Sequence, residues 1–244
     1  MHKSITKLCL LEIIFVCIGS PALAEDEWVI TQKYNTFYVS KNAVRAVSYD
    51  GGFEMVAKAP DWTCYGYRLD KKIIWQTPIN SFNSLVFVRP FMDGAKLRTP
   101  PRRIGKSTIN GFKCTEYRTL NGLLYGSEQV KTSPKAIEFV NRFLFTSTIP
   151  EIPLFYKQES DTTKYVEKPW FDSARYKLDA GRTSIITLSI KKKNYLAKDF
   201  AVPVGFKRTN RAKDIAYSEA KKRQFEDVIE GVGFMSSDKE EKKH

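Results

Sequence analysis

Residues 104–118, Ile-Gly-Lys-Ser-Thr-Ile-Asn-Gly-Phe-Lys-Cys-Thr-Glu-Tyr-Arg, read as a β-hairpin. Asn110-Gly111 supplies two residues that tolerate positive φ, with strand-forming residues on both sides. Alternation after the turn puts Phe112 and Cys114 on one face and Lys113, Thr115 and Tyr117 on the other. A tight turn between alternating runs commits its surroundings to antiparallel pairing, and most of the chain repeats this pattern.

Upstream, 28–39 is rich in β-branched and aromatic residues, as a strand is. A second strand spans 43–49, with Val44, Ala46 and Ser48 on one face. Asp50-Gly51-Gly52 turns into a strand at 53–58. Residues 62–69 alternate, with Tyr65, Tyr67 and Leu69 on one face and Trp62 and Cys64 on the other. Asp70-Lys71-Lys72 turns into 73–77, which completes a meander. Residues 78–92 are apolar and aromatic without a clear period, suiting a short helix, a covering loop or both. Thr99-Pro100-Pro101-Arg102-Arg103 closes an exposed basic loop, since paired prolines suit neither helix nor central strand.

Downstream, 123–130 reads as a strand. Ser133-Pro134 then opens a helix with a capping residue and a proline at the first helical position. Ala136, Ile137, Phe139, Val140, Phe143 and Leu144 recur at helical spacing, and Lys135, Glu138, Asn141 and Arg142 take the other side. This amphipathic helix, over 133–145, needs an apolar cover, and a curved sheet supplies one. Strands are further expected at 170–178 and 182–191, the latter with Ile186, Leu188 and Ile190 inward and Thr187 and Ser189 outward. Residues 212–230 are helical by composition with a thin apolar seam, and the charged tail from Ser236 suits disorder.

The first 24 residues have the pattern of a signal peptide: basic residues, an apolar run at 8–18, and Ala22-Leu23-Ala24 before Glu25. The run is shorter than the roughly 20 residues a membrane span needs. Cleavage after Ala24 would deliver a free periplasmic or secreted protein with one domain over 25–208, a basic helix over 209–235 and a tail over 236–244. The formal net charge is +13, which suits solubility or contact with anionic envelope components. Nucleic acid is not expected, because the aromatics stand apart from the basic groups and the compartment is wrong. Beyond the leader, Cys64 and Cys114 remain. In an oxidising compartment such a pair suggests one disulfide, the alternative being two buried thiols on neighbouring strands.

Only His244 lies beyond the leader. That removes Ser-His-Asp and Cys-His catalysis and nearly every zinc site. No metal or cofactor is expected. Gly105-Lys106-Ser107 lacks the earlier glycine of a phosphate loop, since Pro100 stands there. Glu54, Asp61, Glu116, Glu128, Glu151 and Glu159 are the carboxylates open to a paired acid–base role, although such residues on strands and turns are mostly surface groups. The aromatics are the remaining signal. Trp62, Tyr65, Tyr67, Trp75, Phe82, Phe87, Phe91, Phe139, Phe143 and Phe155 either fill a core or line an apolar groove under a curved sheet.

Three stretches carry a resemblance. Residues 105–117 fit Gly-x-x-x-Ile-x-Gly-Phe-x-Cys-x-x-Tyr, Ile149-Pro150-Glu151-Ile152-Pro153-Leu154 follows the helix, and Phe200-x-x-Pro-x-Gly-Phe-Lys follows an alternating strand. In this order, over 28–208, the chain resembles the LolA/LolB-like lipoprotein-carrier superfamily. The resemblance implies an α+β, mainly antiparallel fold: a strongly curved, unclosed barrel with helices covering its open side. It also implies a hollow for the acyl chains of a lipid or lipidated protein. The expected function is therefore a non-enzymatic carrier. The alternative is an envelope adaptor that holds an anionic polymer or a partner protein through its basic surface.

Overall fold

The computed structural model describes residues 26–82, 100–120, 122–159 and 183–216. The leader, Phe87 and Phe91, the strand expected at 170–178 and the chain beyond Ala216 lie outside the described residues.

Two meanders make one sheet. The first runs through β1 (Asp26–Gln32), β2 (Asn35–Val39), β3 (Ala43–Ser48), β4 (Phe53–Lys58), β5 (Thr63–Arg68) and β6 (Ile73–Pro78). The second runs through β7 (Arg102–Ile109), β8 (Phe112–Thr119), β9 (Gly122–Ser127), β10 (Pro153–Gln158) and β11 (Thr183–Asn194). The long β11 returns to pair antiparallel with β1, from Asp26 opposite Asn194 to Gln32 opposite Thr187. A two-residue β12 (Lys207–Arg208) adds to β6 in parallel. The twelve strands lie in the order β12-β6-β5-β4-β3-β2-β1-β11-β10-β9-β8-β7, so the sheet has two ends and is not a closed barrel.

Local chemistry explains most of these elements. Asn110 (φ 50°) and Gly111 (φ 82°) both have positive φ, as a two-residue hairpin turn requires. The expected continuous strand over 28–39 is instead a hairpin, β1 turning to β2 with Thr31 opposite Thr36. Its turn carries no Gly or Pro, so composition did not mark it. The alternation expected in β11 is broken by a bulge: Thr31 pairs with Ser189 but Gln32 pairs with Thr187, which leaves Leu188 without an opposite residue. Leu188 is accordingly 62% exposed, while Thr187 is buried and donates to Leu154 O at 2.7 Å.

Helix α1 (Pro134–Phe143) lies against one face of the sheet. Ser133 Oγ accepts from Ala136 N at 3.3 Å, the expected cap. Ala136, Phe139, Val140 and Phe143 are buried in one cluster with residues of β1–β5 and of β8–β10. Strands this far apart in the order share a core because the sheet curves around the helix, and the helical face is its concave side. Each fully buried Phe is worth about 1.5–3 kcal/mol here. Asn141 closes the helix: its Nδ2 donates to Ile137 O and Ile149 O, and its Oδ1 accepts from Ile149 N. The Ile149–Glu151 stretch then passes over the convex face at Gly126, where a Cβ would stand 2.9 Å from Glu151 Cβ. A short α2 (Ala212–Ala216) docks rather than lying in solvent: Ile215 is fully buried in the same core, and Arg68 donates to its carbonyl at 3.2 Å.

Candidate functional site

Strand parity and packing against the helix assign each predicted aromatic among the described residues to a face. Trp62, Phe82, Phe139, Phe143 and Phe155 are buried in the concave core, and Trp75 packs half-buried against it. Phe139 stacks on Phe82 with centroids 5.7 Å apart, and on Phe143 at 6.1 Å. Tyr67 belongs to a separate convex cluster with Val56 and Phe200. Tyr65 shares its parity, and lines a convex groove with Ile74 and Gln76. The predicted set is thus divided between two faces of one sheet, and its buried members are packing partners of α1.

The disulfide is not formed. Cys64 and Cys114 are free and buried, on β5 and β8, with β4 to β1 and β11 to β9 between them in the sheet. They are not on neighbouring strands either. Both belong to the concave core, where α1 also packs. Burial pushes the Cys64 thiol up to about 12 and the Cys114 thiol up to about 11.

The ring contacts of α1 reach β2 through Phe37 and β4 through Phe53. Towards the other half of the concave face, Trp28 on β1, Ile186 and Ile190 on β11, Phe112 on β8 and Ile109 on β7 are only half-buried against the core. Registers connect them. Ile30 opposes Ile190, and Ile109 opposes Phe112. Ile186 opposes Phe155, which opposes Tyr125, which opposes Glu116. Phe112 and Phe155 tilt together at 6.2 Å. An apolar stripe therefore crosses β1, β11, β10, β9 and β8.

Polar groups border it. Lys192 pairs with Asp26 at 2.5 Å and lies 5.8 Å from the Trp28 ring. Arg118 pairs with Glu159. The Tyr125 hydroxyl donates to Glu116 at 3.5 Å, and burial, with Glu116 beside it, raises its pKa. An apolar surface with an ionic border suits a ligand that is apolar along its length and polar at an end. Alternation had already placed Phe112 beside Cys114. Trp28, Ile109, Ile186 and Ile190 were not among the predicted groove residues, because β-strand composition gives no sign of how far a helix reaches.

The six carboxylates are held in separate pairings. Glu54 takes Arg45 at 2.7 Å and the Tyr67 hydroxyl at 2.8 Å. Asp61 accepts from Thr63, Glu128 pairs with Lys106, and Glu151 accepts from Tyr117 at 2.6 Å. Glu116 and Glu159 take the partners just named. None of these bonds joins two of the six. Among the described residues, no three His, Cys, Asp or Glu side chains are grouped to hold a metal ion, and no helix is long and apolar enough to cross a membrane.

No family model matches this chain, and no curated protein does. Among solved structures, an uncharacterized conserved protein from Thermus thermophilus aligns with 78% of this chain and 92% of its own, at 8% identity and a TM-score of 0.34.

Proposed function

We propose that this chain is an exported, non-enzymatic carrier that holds the acyl chain of a lipid or lipidated protein on its concave face. The half-buried apolar stripe from Trp28 to Phe112 carries the reading. Transfer of a methylene out of water is worth about 0.8 kcal/mol, so a long chain laid along such a stripe gains several kcal/mol, part of which offsets the cost of association. The leader-like start of the sequence and the carrier-family resemblance point the same way: export, cleavage after Ala24, and residence in the periplasm or outside the cell.

The test is binding of a fluorescent fatty-acyl probe, with native mass spectrometry of protein purified from its own envelope. Co-purified lipid and saturable probe binding are expected. Phe112→Asp puts a charge on the half-buried stripe and should weaken the probe about tenfold or more, with the far-ultraviolet dichroism unchanged. A protein that carries no lipid and binds no probe ends this reading. A second reading, an adaptor for an anionic polymer or partner, rests on exposed Arg102, Arg103 and Lys106 along the edge strand β7. Binding to such a polymer would fall steeply with salt, whereas acyl binding would not.

A further inference from the structure

A second concavity lies on the opposite face. The chain after β11 crosses the convex side of the sheet and is fastened at two places. Upstream, Phe200 is buried and stacks on Tyr195 with centroids 5.3 Å apart. Downstream, Lys207 N donates to Lys72 O and Thr209 N to Ile74 O, each at 2.9 Å, which is the β12–β6 pairing. Between these anchors the strap turns at Gly205 (φ 76°) and swings outward at Val204, 92% exposed. It encloses a groove of about 420 Å3 against β5 and β6, a size within the range of small-molecule sites, about 300–1,000 Å3.

The groove is lined by both apolar and polar residues. Phe206 is one of the lining residues and is braced edge-on against Tyr67 at 6.3 Å. Tyr65, Gln76, Arg208 and Asn210 supply hydroxyl, amide and guanidinium groups. Among the described residues none of these four side chains makes a hydrogen bond or ion pair, although each group can make several. The nearby carboxylate is engaged: Asp214 accepts from Thr209 at 2.7 Å and pairs with Arg211 at 3.0 Å. Arg208 is thus a cation in a groove that Phe206 also lines, with uncommitted donors around it, in a chain of formal net charge +13. A guanidinium with this freedom selects a carboxylate, sulfonate or phosphate oxygen pair.

We propose that this convex groove is a binding site for a small organic anion with a flat apolar body, its anionic group on Arg208 and its body against Phe206 and Tyr65. The site is separate from the concave face and does not depend on the carrier reading.

The experiment titrates the full chain with anilinonaphthalene sulfonate and with phenylnaphthylamine, which has the same aromatic body without the sulfonate. One saturable sulfonate site is expected. Arg208→Ala should weaken the sulfonate about tenfold or more and leave the neutral probe unchanged, and Arg208→Lys should lose less. Val204→Asp sets a carboxylate on the exposed lip, where no packing is lost, and should weaken the sulfonate as well. Sulfonate binding that is absent, or unmoved by both Arg208→Ala and Val204→Asp, overturns the proposal. So does binding lost in Phe112→Asp but kept in Arg208→Ala, which places the probe on the concave face. The acyl probe, read in parallel, is expected to ignore Arg208→Ala, so the two readings fail separately.

Discussion

Phe143 sets its ring edge-on to Phe37, with centroids 5.3 Å apart and the planes 88° from parallel. One residue ends α1 and the other sits in the middle of β2. The contact therefore fastens the only long described helix to the second strand of the first meander. Edge-to-face geometry of this kind adds about 0.5–1.5 kcal/mol to the burial itself. Phe143→Ala removes both, and also the contacts with Phe53 and Phe139. A loss of about 3–5 kcal/mol is expected in urea denaturation. A loss below about 1 kcal/mol would mean that α1 is not held in this way.

The start of the same helix gives a smaller effect. Ser133 Oγ takes the Ala136 amide, and the proline at the first helical position leaves no other donor there to satisfy. Ser133→Ala should cost about 1 kcal/mol, and Ser133→Asp should recover most of it. Equal stability of all three proteins would remove the capping account.

The thiols should be silent in the folded protein. Cys64 and Cys114 are buried, and burial pushes them to about 12 and about 11, so almost no thiolate is present at neutral pH. An alkylating reagent should leave both untouched in native buffer and modify both once the unreduced chain is denatured. Failure to modify either cysteine in the denatured, unreduced chain would restore the disulfide.

Glu27 gives a pH signature. It is fully buried on the convex side, 3.1 Å from Lys193 Nζ, and accepts from Leu196 N at 3.4 Å. Burial raises its pKa above 4.5, against the opposing pull of Lys193 and Leu196 N, with Asp199 adding to the rise. A carboxyl whose folded pKa is raised contributes stability that is complete below its unfolded value and is lost as pH rises through the folded value. The wild type should therefore gain stability relative to Glu27→Gln as pH falls from neutrality toward 4.5. Chemical denaturation of both proteins across that window measures it. A stability difference that is flat with pH, or that moves the other way, contradicts the assignment.

Much of the fold was legible because the signals are local. Asn110-Gly111, Asp50-Gly51-Gly52 and Ser133-Pro134 act within a few residues, and each marks an element boundary that the structure contains. Parity was legible as well: Phe112 and Cys114 do share a face opposite Tyr117, and Cys64 lies opposite Tyr67. The same parity already separated Trp62 from Tyr65 and Tyr67, so one hollow could not hold all ten predicted aromatics. The turn between β1 and β2 and the bulge at Leu188 left no mark, because each depends on what the partner strand does.

From the residues alone came the antiparallel character, the capped amphipathic helix, and the faces of strands such as β3, β5 and β8. Those follow from backbone geometry over a few neighbours. Tertiary structure decided which face became concave, how far α1 covers it, that β11 closes onto β1, and that the strap leaves a groove over β5 and β6. Each of these depends on segments far apart in the chain meeting across a curved sheet, and no short stretch encodes its own partner.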